Sequence, residues 1–179
     1  MIGNDIIDLS LAKTESNWQR PRFLEKQFTQ QEMKAIQKSA NPFLLLWRFW
    51  SMKESAYKIV VQQQKKRFFA PAKFSCTIVS KTQGLVKFED QMFSCLTQTT
   101  PQYIYSSVGE STVQYVGQIL GNQKILKILE RKLRLTTTPL EIKKNAVGTP
   151  YLYAKDQMIS GSFTKTHHGK FEAFEYLPH

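Results

Sequence analysis

Residues 43–62, entered through the turn signal Asn41-Pro42, carry the helical pattern that most constrains this chain. Trp47, Trp50, Glu54 and Lys58 recur at helical spacing and share one side of the expected helix. In the plainer reading, two core tryptophans stand beside an i,i+4 Glu-to-Lys pair at the boundary of the core. In the chemical reading, a carboxylate beside an apolar stripe, with an ammonium one turn away, holds a hard cation and handles a proton next to it. The residues by themselves leave both readings open.

The elements around this helix alternate in type. Residues 1–9 read as a short strand. A helix is expected from Thr29, because T-Q-Q-E places a capping hydroxyl three residues before Glu32, the spacing of a capping box. FSCTIVS at 74–80 puts Phe74, Cys76 and Ile78 on one face. KTQGLVKF, MFSCLTQ and TPQYIYSSV continue as a strand meander that turns at Thr100-Pro101. VQYVGQIL then reads as a strand. A helix follows over about 122–135, with Ile125, Ile128, Leu129 and Leu133 at helical spacing and Thr136-Thr137-Thr138-Pro139 ending it. LEIKKN, YLYAKD and the C-terminal KFEAFEYL read as strands. The expected class is α+β, in two small lobes at about 1–110 and 111–179.

Charge narrows the partners. There are 25 Lys and Arg against 14 acids, a net +11, which favours encounters with anions without naming one. The apolar segment PFLLLWRFW is broken by Arg48 and is far short of a membrane span, and the acidic start MIGNDIIDL lacks a signal peptide's basic region. Cys76 and Cys95 sit in expected strands, too few for a disulfide framework, so reduced thiols and a cytoplasmic location are expected.

Two further groups of residues offer chemistry. Asp5 and Asp8 end the first strand; they fit ordinary turn acids, or Asp5 fits a metal site completed by Glu54. FTKTHHGKF at 163–171 fits a polar hairpin turn, or a phosphate-binding corner built from hydroxyls, backbone N–H groups and imidazole. Gly-rich phosphate loops, a nucleophile elbow and zinc-ligand spacing around His167 and His168 are absent.

Taken together, these segments resemble the 4'-phosphopantetheinyl transferase superfamily. IGNDIIDL looks like its glycine–any–aspartate strand, and RFLEKQFTQQE at 22–32 is similar to its RF-x-x-x-x-FT-x-x-E segment. FWSMKESAYK at 49–58 matches its most specific signature, an aromatic followed by K-E-[AS]-x-x-K. NAVGTPYL at 145–152 resembles its N-x-x-G-K-P strand, and FTKTHHGKFEAF at 163–174 its S-x-[ST]-H segment.

The resemblance implies a fold of two α+β lobes forming a pseudo-dimer. It also implies an Mg²⁺-dependent enzyme that moves phosphopantetheine from coenzyme A to a serine of an acyl or peptidyl carrier protein. By the same resemblance, Asp5 and Glu54 ligate the metal, Lys58 sits near the scissile phosphate, and Lys53 helps to neutralise it. Thr166 and His167 bind the 3'-phosphate; Gly148 and Pro150, with Thr149 between them, shape the adenosine side. Thr149 stands where the family usually has lysine, Thr164 where it has serine, and Ile7 where many two-lobe members have an acid. Lys58 and Gly148 lie far apart in the chain, so the family's two halves are expected in swapped order, with one site between them in a monomer. The alternative is a single lobe with an insertion, forming trimers. Acidic carrier proteins suit a basic enzyme. Two other readings are a coenzyme A-binding relative without transfer activity, and a nucleic-acid module using Lys124, Lys127, Arg131, Lys132 and Arg134, although the metal acids argue against nucleic acid.

Overall fold

A computed structural model describes residues 1–135 and 139–179. In chain order the elements are β1 (Gly3–Asp8), α1 (Leu9–Glu15), α2 (Phe23–Gln27), α3 (Gln30–Lys38), α4 (Pro42–Gln64), β2 (Phe74–Ile78), β3 (Gln83–Phe88), β4 (Gln91–Thr99), β5 (Tyr103–Val108), β6 (Val113–Gln118), α5 (Asn122–Lys132), β7 (Leu140–Lys144), β8 (Pro150–Ala154), β9 (Gln157–Met158), β10 (Gly161–His168) and β11 (Phe171–Pro178). The class is α+β, as expected.

Helix α4 organises the first part. Asn41 Oδ1 accepts the Leu44 N–H at 3.0 Å, and Pro42 occupies the first turn, where a missing N–H costs nothing. Leu46, Phe49, Met52, Ala56 and Val60 recur every three or four residues and are buried in one cluster with Phe74, Val86, Phe88 and Ile104. Each aliphatic side chain so buried contributes about 1.5–3 kcal/mol. The strands beneath form a five-stranded antiparallel sheet in the order β1-β5-β4-β3-β2. Strand β1 lies so close on α4 that a Cβ at Gly3 would stand 2.1 Å from the Ser55 carbonyl oxygen. Glycine there lets β1 seat against the helix and carries Asp5 to the Glu54 turn.

The second part holds two three-stranded sheets, β10-β11-β6 and β7-β8-β9. Helix α5 buries Ile125 and Leu129 with Leu140, Leu152 and Phe174, while Lys124, Lys127, Arg131 and Lys132 are exposed. The two parts repeat one strand order. The first strand of each pairs with its last, β1 with β5 and β6 with β11, and the last pairs with the strand before it, β4 or β10.

The sheets meet along β1 and β10 through side chains rather than a backbone ladder. Thr164 Oγ1 donates to Asn4 Oδ1 at 3.0 Å, Thr166 Oγ1 to Asp5 Oδ1 at 3.2 Å, and the Asp8 N–H to His168 Nδ1 at 2.9 Å. Ile6, Tyr105, Phe171 and Ala173 fill a small apolar core at the same junction. All six residues of β1 are therefore buried, and the alternation of a one-faced strand is lost.

The structure departs from the sequence expectations in places. FTKTHHGKF is not a hairpin turn: through His168 it is strand β10, and the turn is only Gly169-Lys170. Asp8 does not simply end β1. It caps α1, accepting from Ser10 N–H at 3.0 Å and Leu11 N–H at 3.3 Å, and its other oxygen accepts from Lys170 N–H at 3.2 Å. Helices α1 and α2 and the short β9 have no periodic signal in the sequence. The expected helix end at Thr136, Thr137 and Thr138 lies outside the described residues.

Candidate functional site

Asp5 lies at the seam of the two sheets. Its Oδ1 is held by Thr166, and its Oδ2 is buried without a hydrogen-bond partner among the described residues. Burial pushes this carboxyl up from its ordinary 3.8 to about 7; the nearby Glu54 pushes the same way and Lys58 opposes it. Burial also raises Glu54, again against Lys58. Burial lowers the Lys58 ammonium, while Asp5, Glu54 and Glu175 hold it up. These three groups, on β1 and two turns of α4, form one electrostatic unit.

Lys58 is aimed by the seam itself. Its Nζ donates to the carbonyl oxygens of Asn4 on β1 and, at 3.5 Å, Lys165 on β10. Glu54 makes no hydrogen bond or ion pair among the described residues, so its carboxylate is free for a ligand. Behind them, fully buried Glu175 accepts from Tyr105 Oη and, at 2.6 Å, from Gln114 Nε2.

A cavity of about 420 Å³ opens beside Glu54 and Lys58, and Gly148, Thr149, Pro150 and His167 complete its wall. A second hollow joins Asp5, Glu54, Trp47, Trp50, His167 and His168. Of the sequence-derived site residues, Asp5, Glu54, Lys58, Thr166, His167, Gly148, Thr149 and Pro150 thus come together. His167 is exposed, whereas His168 is engaged by the Asp8 N–H. Trp47 and Trp50 pack edge to face at 6.4 Å and line the hollow as well as the core. Thr149 is buried, its N–H donating to Asn145 Oδ1 at 2.9 Å.

Thr166, expected at the 3'-phosphate, lines neither hollow and donates its hydroxyl to Asp5 instead. Lys53 departs further. It is 2% exposed and spends its three donors on Glu32 Oε2 at 2.7 Å, Gln27 O at 3.0 Å and Pro71 O at 3.0 Å. The expected phosphate role is corrected on this geometry: an ammonium with all its donors engaged has none left for a ligand.

Sequence reading missed Asn4, Lys165 and Arg67. Asn4 occupies the unspecified position of the glycine–any–aspartate segment, and Lys165 contributes a backbone carbonyl, which no motif encodes. Arg67 follows α4 in the run KKRFF and reads as surface charge until the β7–β8 turn is seen beside it.

The sequence profile of the 4'-phosphopantetheinyl transferase superfamily matches residues 1–116, nearly two-thirds of the chain and the part that carries Asp5, Glu54 and Lys58. The chain belongs to this superfamily. No curated protein matches it by sequence. Among solved structures it is similar to the holo-[acyl-carrier-protein] synthase of Thermotoga maritima, with 8% identity, a TM-score of 0.46, and coverage of 88% of this chain and 83% of that one. So distant a likeness adds no weight to the family assignment, which rests on the sequence profile. No helix is long and apolar enough to cross a membrane among the described residues.

Proposed function

We propose that the protein transfers 4'-phosphopantetheine from coenzyme A to a serine of an acidic acyl or peptidyl carrier protein, with Mg²⁺ as cofactor. The observation that carries this reading is Asp5 Oδ2, a buried carboxylate oxygen without a partner among the described residues, in the same hollow as Glu54, which is likewise unpaired among them. A buried carboxylate left unpaired is costly, and a hard cation is one group that offsets the cost. Among the described residues no group of three or more His, Cys, Asp or Glu stands ready to enclose an ion. Two carboxylates fit Mg²⁺, which usually takes one or two from the protein and the rest from phosphate and water. When bound there, the ion would act as a Lewis acid on the pyrophosphate of coenzyme A.

The chain's own residues supply the rest. The carrier's serine oxygen bonds to the β-phosphorus, the bond from that phosphorus to the bridging oxygen breaks, and 3',5'-adenosine bisphosphate leaves with that oxygen. Lys58, fixed by two carbonyl oxygens, places positive charge where the phosphoryl oxygens gather negative charge. Lys58 donates two of its three protons to carbonyl oxygens and keeps the third for the phosphoryl oxygens, and Glu54, which has free lone pairs, takes the serine proton, directly or through water. His167, Gly148, Thr149 and Pro150 form the adenosine side, with His167 at the 3'-phosphate. Thr166 holds Asp5 in place.

Lobes at 1–110 and 111–179, related as a pseudo-dimer, account for a cavity lined from both parts of one chain, and support one site per monomer. The test is incubation with coenzyme A, Mg²⁺ and an apo carrier protein. The expected result is a carrier heavier by one phosphopantetheine, with the gain abolished by chelation. Coenzyme A binding without a mass gain would leave a non-catalytic relative. Binding to nucleic acid instead would replace the proposal.

A further inference from the structure

The cavity beside Glu54 is rich in positive charge: Lys58, Arg67, Lys144 and Lys165 line it, and Glu54 is the acid on its wall. Two of these cations are already committed. Lys58 is bound to two backbone carbonyls, and Lys165 pairs with Glu172 at 2.7 Å and donates to Asn122 at 2.6 Å. Arg67 differs. It leaves the end of α4 and reaches the β7–β8 turn, where its Nε donates to the Val147 carbonyl at 2.6 Å. That bond fixes the guanidinium plane but uses only one of five N–H donors. No carboxylate pairs with Arg67 among the described residues.

Gly148 makes this placement possible. Its φ of +78° suits glycine, and a Cβ there would stand 2.0 Å from Arg67 Nη2. The turn therefore leaves the guanidinium lying against its backbone, exposed on the wall of the cavity.

We propose that Arg67 is a phosphate-binding residue of this cavity. It would hold an anionic group of the bound coenzyme from the Gly148 side, with its free Nη groups. A planar fork anchored by one bond loses little freedom on meeting a phosphate, and guanidinium–phosphate pairs are favourable and directional. The inference rests on the coenzyme A reading of the site, because the ligand that supplies the phosphate comes from there.

The experiment measures the affinity of wild type, Arg67→Ala and Lys66→Ala for coenzyme A, adenosine and inorganic pyrophosphate by calorimetry. Lys66 is the adjacent exposed cation outside the cavity wall and controls for general charge. Arg67→Ala is expected to weaken coenzyme A about ten- to a hundredfold, as for loss of a charge-assisted hydrogen bond, and to leave any adenosine affinity unchanged. Lys66→Ala should shift coenzyme A by less than about twofold. Unchanged coenzyme A affinity in Arg67→Ala, or an equal loss in Lys66→Ala, overturns the role. If wild type binds pyrophosphate but not coenzyme A, the coenzyme reading fails; a loss of pyrophosphate affinity in Arg67→Ala alone then still supports the anion site. Wild type binding neither ligand overturns both.

Discussion

Helix α4 carries two lysine–glutamate neighbourhoods five residues apart, and they have opposite character. At Lys53 every charge is satisfied. Glu32 takes Lys53 at 2.7 Å, the Thr29 N–H at 2.7 Å and the Cys76 N–H at 2.6 Å, and Lys53 adds two carbonyl oxygens. At Lys58 a lysine and two acids lie together at the seam, yet Asp5 Oδ2 and the Glu54 carboxylate lack partners among the described residues. The first arrangement ties α3, α4 and β2 together and offers nothing to a ligand. The second keeps its polar capacity unused, so a ligand can complete it. Lys53 and Glu32 are a fully buried one-to-one pair, while Glu54 and Lys58 are half-buried and one lysine faces two acids; what separates a structural ion pair from an open cluster is whether the donors and acceptors are already spent.

The comparison breaks most readily at Lys53. Lys53→Met leaves Glu32 buried without its counter-ion and should destabilise the fold by about 3–5 kcal/mol in urea unfolding. Lys58→Met should cost much less stability while stopping transfer, and an equal loss of stability would erase the distinction.

Next comes pH. The folded chain binds the Asp5 proton more tightly than the unfolded chain, because burial raises this carboxyl from 3.8 to about 7. Its contribution is full below about pH 4 and is lost as pH rises through 7. In metal-free buffer, wild type should therefore lose stability relative to Asp5→Asn over this window, by up to about 4 kcal/mol at 1.36 per pH unit. A pH-independent difference between the two would mean that Asp5 titrates normally.

His167→Ala sharpens the ligand side. If His167 meets the 3'-phosphate as proposed, the change should weaken coenzyme A by about 1–3 kcal/mol and dephospho-coenzyme A by less. Equal weakening would move His167 elsewhere in the site. The smallest effect belongs to the satisfied cluster: Thr29→Ala removes the cap above Glu32 and should cost about 1 kcal/mol of stability without changing transfer.

Much of this was legible in the sequence because the signals were local. Thr29-x-x-Glu32 reads as a capping box and is one. Asn41-Pro42 opens α4, and the Trp47–Lys58 spacing puts Glu54 and Lys58 one turn apart. What was not legible depends on the meeting of distant strands. The threonines and His168 of β10 look like turn residues because their partners, Asn4, Asp5 and Asp8, lie some 160 residues away. A strand that bonds sideways through its side chains is polar on a buried face, which imitates a loop. Lys53 and Lys58 likewise read alike, since only the packing of α3 and the segment around Pro71 consumes the donors of the first.

The central claim is that the unsatisfied cluster at the seam is the reactive one. The most direct measurement is the rate of carrier-protein modification by Glu54→Gln at saturating Mg²⁺ and coenzyme A, with its melting temperature taken alongside. The account predicts a folded protein that melts no lower than wild type and a rate lower by roughly a hundred- to a thousandfold, the scale of losing one preorganised electrostatic group. A folded Glu54→Gln variant that modifies the carrier at nearly the wild-type rate would contradict it.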